Sequence, residues 1–205
     1  TPFAAAAPTL ACAGNGADAD SADARTAAGE SDPTNTVEGS GLPAGWHARF
    51  DRAGSSPTDV KFASMGDGFH VTTGPAITYW NPANKASGNY TGKATFSEPK
   101  FMNTNDHAHP YGTVIGGADL GTDNQNYLYC AAYGNGNFIV RGFNPHPFQL
   151  NGRRGEANEA VNKAPGQGQP VTQEIAISVK PDQVQCLING TVVGSYPRTD
   201  VIGEG

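Results

Sequence analysis

The residues with the most chemistry to offer lie between Asn103 and Arg141. Asn103-Thr104-Asn105-Asp106-His107-Ala108-His109 is the densest polar cluster of the chain. His107 and His109 alternate, so on a strand both project to one face, where two imidazoles and a carboxylate suit a transition metal. The competing reading is a solvated loop, because Pro110 follows directly. Asp119-Leu120-Gly121-Thr122-Asp123-Asn124-Gln125-Asn126 offers the carboxylate and amide oxygens that Ca²⁺ takes, with Asp119, Asp123 and Asn124 as its ligands. It also reads as an Asx-rich turn joining two strands. Beyond it, Tyr127, Tyr129 and Tyr133 share parity with Ala131, while Leu128, Cys130 and Ala132 share the other. In the next apolar run Arg141 falls on the face of Ile139 and Phe143. If the Leu/Cys/Ala face meets the core, the tyrosines and Arg141 form an open row on which sugar rings can stack, and Trp80 is a further ligand-binding candidate. The alternative is that the tyrosine row itself fills the core. Asp106, Asp119 and Asp123 are not spaced two apart on any one strand, and Glu156 and Glu159 fall in a loop. The paired carboxylates of glycoside hydrolysis are therefore missing.

Such side chains need strands to hold them, and the alternation of apolar residues provides strands. Glu174-Ile175-Ala176-Ile177-Ser178-Val179 and Val184-Gln185-Cys186-Leu187-Ile188 flank the turn Lys180-Pro181-Asp182-Gln183. Asn189-Gly190 then suits a tight hairpin into Thr191-Val192-Val193, because both residues tolerate positive φ. Residues 144–169 read as an irregular stretch with a short helical turn over Glu156–Asn162, and long loops of this kind tend to carry function. Three cysteines leave at least one without an intrachain partner. Cys130 and Cys186 both fall in strands and could face each other in the core. Cys12 pairing with either one, or plain buried thiols, are the alternatives.

A chain of 205 residues suffices for one sandwich domain with appendages. Charged residues are only 16% while Gly numbers 27 and Pro 15, which fits short strands joined by tight turns and argues against helical bundles. The formal net charge is −6 and no basic cluster exceeds Arg153-Arg154, so nucleic acid is not an expected partner. No apolar run approaches the length of a membrane span. Residues 1–40 are rich in Ala, Asp and Gly and too poor in large apolar residues to offset their ordering entropy, so they read as an arm or linker ahead of a globular 41–205 domain. A first residue other than Met is the expectation for a processed, extracellular or cell-surface protein.

Gly66-Asp67-Gly68-Phe69-His70-Val71, Ala76-Ile77-Thr78-Tyr79-Trp80, Gly92-Lys93-Ala94-Thr95-Phe96, the His109–Gly117 and Asn126–Tyr133 runs and the closing Asn189-Gly190 hairpin follow one another in an order that resembles concanavalin A-like jelly rolls. The resemblance, to laminin-G-like and keto-disaccharide-hydrolase-like domains, covers roughly Gly41 to Tyr196. It implies an all-β jelly-roll sandwich that binds sugar on its concave face. Glucanases of that fold carry Glu-x-Asp-x-(x)-Glu on one strand, a motif absent here. The leading expectation is non-catalytic binding of a glycan or other extracellular polymer. A rival is a subunit of an extracellular assembly of copies of itself, joined by arm or strand exchange, since little chain follows Tyr196 to cover a sheet edge. A sugar-active hydrolase is the third.

Overall fold

The computed structural model describes residues 39–51, 54–56, 60–73, 76–102 and 108–201. The arm expected over residues 1–40 lies outside the described residues except for its last two, as do Asp106 and His107 of the polar cluster.

The chain forms an all-β sandwich. One sheet holds β5 (Tyr90–Glu98), β11 (Val171–Val179), β12 (Gln183–Ile188) and β13 (Thr191–Pro197), in the order β13-β12-β11-β5. The other holds β6 (Tyr111–Ala118), β7 (Asn126–Ala132), β8 (Asn137–Asn144) and β10 (Glu156–Ala157), in the order β10-β8-β7-β6, with β9 (His146–Gln149) also on β8. Two smaller pairs complete it: β1 (His47–Phe50) with β4 (Ile77–Trp80), and β2 (Val60–Met65) with β3 (Gly68–Thr73). A single helical turn, Arg198–Val201, follows β13.

The alternation read from the sequence sets the main core. Ile175, Ile177 and Val179 of β11 and Val184, Cys186 and Ile188 of β12 face Leu128, Cys130 and Ala132 of β7 and Phe138 and Val140 of β8. Cys130 and Cys186 form a disulfide across this core, joining the two sheets with Cα atoms 5.8 Å apart. The β12–β13 turn is made by Asn189 and Gly190, both at positive φ. Asn189 does more than turn the chain. Its amide donates to the Ala160 carbonyl and to Gln173 Oε1, while its Oδ1 accepts from the Glu174 N–H. Gln173, fully buried, donates in turn to the Asn162 carbonyl and accepts from the Asn162 N–H. Buried amides satisfied in this way tie the segment after β10 to the sheet.

That tie corrects two expectations. The stretch 144–169 is not structureless, since β9 and β10 run within it. The helical turn expected over Glu156–Asn162 does not form: Glu156 and Ala157 pair with Phe138 and Asn137 instead. Asn158 Oδ1 accepts from the Ala160 N–H, and such short side-chain bonds compete with helical backbone pairing.

A second buried layer lies on the other face of β7 and β8. Tyr127, Tyr129, Ala131, Tyr133 and Ile139 pack there with Phe101, Ala108, Ala164 and Val171. Main-chain bonds from Phe101 to Gln169, Gly168 to Phe101 and Ala164 to Gly134 fix the covering segments in place. A third cluster, with Val60, Phe62, Ile77 and Tyr79 at its centre, fills the space around β1–β4 and β2–β3, and Trp46 packs edge-on against Phe69 there.

Candidate functional site

The second layer decides the fate of the tyrosine row. Tyr127, Tyr129 and Tyr133 do stand on the face opposite Cys130, but they are 4–6% exposed. Burial pushes the Tyr127 hydroxyl up to about 12, against a hydrogen bond to the Thr78 hydroxyl that pulls it down. Burial also raises Tyr129 and Tyr133, with Arg141 opposing the shift in both. All three stay neutral and covered, so they offer no stacking platform, and that expectation is corrected. Arg141, across the strand from Tyr129, is as buried as they are.

The exposed rings lie elsewhere. His47 and Trp80 form the terminal cross-strand pair of β1–β4, and their rings stack with centroids 5.9 Å apart at 20°. Trp80 is half-buried and His47 exposed. The indole lies over the backbone of Gly121, at φ +87°, where a methyl group would meet Trp80 Cη2 at 3.4 Å. Glycine there lets the β6–β7 turn come up to the ring. Two residues along β1, Arg49 fastens that turn: its guanidinium donates to the Thr122 carbonyl and, at 3.0 Å, to Asp123 Oδ1. On the neighbouring strand Thr78 touches the Tyr127 hydroxyl at 3.4 Å, linking this corner to the buried row.

The turn holds the residues of the calcium expectation. Asp119 takes positive φ, and its carbonyl accepts from both the N–H and the hydroxyl of Thr122. The Thr122 hydroxyl accepts from the Asn124 N–H, and the Asn124 carbonyl accepts from Asn126. The Asp123 carboxylate is engaged by Arg49. The turn's main chain is closed by these bonds, and the segment is the Asx-rich connection between β6 and β7. Among the described residues no three His, Cys, Asp or Glu side chains converge to hold a metal ion. His109 is exposed at the approach to β6, and its intended partner His107 lies outside the described residues.

No protein-family model matches the chain, and no curated protein does. Among solved structures, sheep galectin-11 in complex with glycerol is similar at 12% identity, with a TM-score of 0.32 over 55% of this chain and 82% of that one. So distant a likeness does not choose a site. Geometry alone does so.

Of the residues singled out in the sequence, the structure brings Trp80, Asp119, Asp123 and Asn124 to one corner and places the tyrosines with Arg141 inside. His47 and Arg49 were missed. A short alternating run, His47-Ala48-Arg49-Phe50, was their signal, with Ala48 and Phe50 packed against the third cluster. Chemically the corner has a ring face, a cation–carboxylate pair and exposed hydroxyl and amide groups.

Proposed function

We propose that this sandwich binds a glycan chain without cleaving it, through Trp80 and His47 and not through the tyrosine row. The single observation that carries the reading is the stacked ring pair at the end of β1–β4 beside an exposed polar turn. An indole presents a flat apolar surface to the C–H face of a sugar, and the turn's Thr122, Asp123 and Asn124 flank it with groups that pair with hydroxyls. The lack of paired carboxylates on one strand supports binding over hydrolysis. The Cys130–Cys186 bridge supports an oxidising, extracellular setting.

The test is isothermal titration calorimetry with neutral soluble polysaccharides. Trp80→Ala should weaken binding about tenfold or more, the loss of roughly 1.4 kcal/mol of ring contact. Its melting temperature should stay within a few degrees of wild type, since a half-buried ring at a strand end leaves no enclosed cavity. Undiminished affinity in Trp80→Ala would sink the reading.

A further inference from the structure

Arg141 is a cation in the wrong place for a purely structural residue. It is 5% exposed, in the middle of β8, between Tyr129 on β7 and Gln149 on β9. Among the described residues no carboxylate pairs with it, and the neighbouring Tyr129 and Tyr133 are held protonated by burial. Its Nη2 donates to the Arg153 carbonyl, while its Nε, fully buried, has no partner. A buried guanidinium with neither counter-charge nor a complete set of acceptors is costly, and a ligand that supplies the acceptors offsets that cost. The two atoms concerned are neighbours. Nε–H and Nη2–H point along the same edge of the guanidinium, the edge that grips both oxygens of a carboxylate at once.

The carbonyl that Nη2 meets belongs to a turn. Gly152-Arg153-Arg154-Gly155 is closed by a bond from the Gly155 N–H to the Gly152 carbonyl, with Gly155 at φ +86° beside Tyr133. Gly152, Arg153 and Arg154 are exposed. Arg153 and Arg154 belong to this turn, and Glu156 packs against Gly152 at its base. We propose that Arg141 is a carboxylate-binding site and that its ligand is an acidic sugar, a uronate. The carboxylate takes the place of the Arg153 carbonyl on Nη2 and accepts from Nε with its second oxygen. The class of ligand rests on the glycan reading above; the oxyanion site does not.

The full chain, labelled with ¹⁵N-arginine, gives one Nε–Hε resonance for each arginine. Sodium glucuronate at millimolar concentration should shift one of them, absent from the spectrum of Arg141→Met, and glucose should not. Arg141→Met should also melt within a few degrees of wild type, because replacing an unpaired buried ion by an apolar side chain of similar length is close to neutral. Trp80→Ala should keep the glucuronate response. If glucuronate leaves every Nε–Hε resonance in place, or if sulfate shifts the Arg141 signal and glucuronate does not, the proposal is overturned. It is equally overturned if Arg141→Met lowers the melting temperature by roughly 10 °C, the mark of a broken internal ion pair. Neutral-polysaccharide binding lost in Trp80→Ala reports on the glycan reading alone, so the two ideas fail separately.

Discussion

Removing the Cys130–Cys186 bridge tests how the two sheets are held together. The cysteines are 56 residues apart in sequence and sit in β7 and β12, on opposite sides of the main core. Closing a loop of that length removes about 4 kcal/mol of unfolded-state entropy in the chain-entropy picture. Cys130→Ala with Cys186→Ala also removes two buried sulfurs, a smaller cavity term on top of the entropy. For a domain of this size each kcal/mol moves the melting temperature by about 2–4 °C, so the double variant should melt roughly 8–16 °C lower. Calorimetric scans of wild type with and without reductant, and of the double variant under both conditions, read this directly. Reductant should lower the wild-type transition to that of the double variant and leave the variant unmoved. A wild-type transition indifferent to reductant, or a double variant within about 3 °C of wild type, would refute the argument that this bridge carries a long loop across the sandwich.

Tyr129→Ala should cost at least about 3 kcal/mol, as truncation of a buried aromatic does, whereas Tyr129→Phe keeps the ring and should cost far less; denaturant titration separates them, and a silent Tyr129→Ala would mean that the second layer is open. Glu98, at the end of β5, has a buried Oε2 without a partner, and burial raises its carboxyl to about 7, with the Met102 N–H pulling it back in part. The folded state therefore holds this proton above the unfolded value of 4.5, and its contribution to stability falls as pH rises from about 4.5 to 7. Glu98→Gln should flatten that part of the stability–pH profile and be more stable than wild type above pH 7; an unchanged slope would remove Glu98 as its cause.

Much of the fold was legible because its determinants are local. The period-two runs of β11 and β12 expose one parity to each side, and Asn189-Gly190 fits the positive φ that a tight turn requires. Parity also separated Cys130 from Tyr129 correctly. What it could not supply was the cover over the second face, which comes from Phe101, Ala108 and Ala164 in segments without periodicity. Yet β7 held a clue: from Tyr127 to Ala132 it has no charged or amide side chain on either parity. A strand that alternates between two kinds of apolar residue, and not between apolar and polar, is one buried on both faces.

The same contrast explains why the candidate corner was read only in part. Aromatic type drew attention to the tyrosines, but type does not say which rings reach solvent. The position of a ring within its strand does: Trp80 ends β4 and His47 begins β1, so their pair lies where the ladder stops and no further strand can cover it. Tyr129 sits mid-strand between two hydrogen-bonded neighbours and beneath a second layer. Arg141 shares that mid-strand position, and a charge kept there without a counter-charge, its Nε unpaired, is the feature of the buried row that packing does not account for. Function in this chain is thus expected in two kinds of place, at strand ends where rings are left bare and at the buried cation whose hydrogen bonds the fold leaves incomplete.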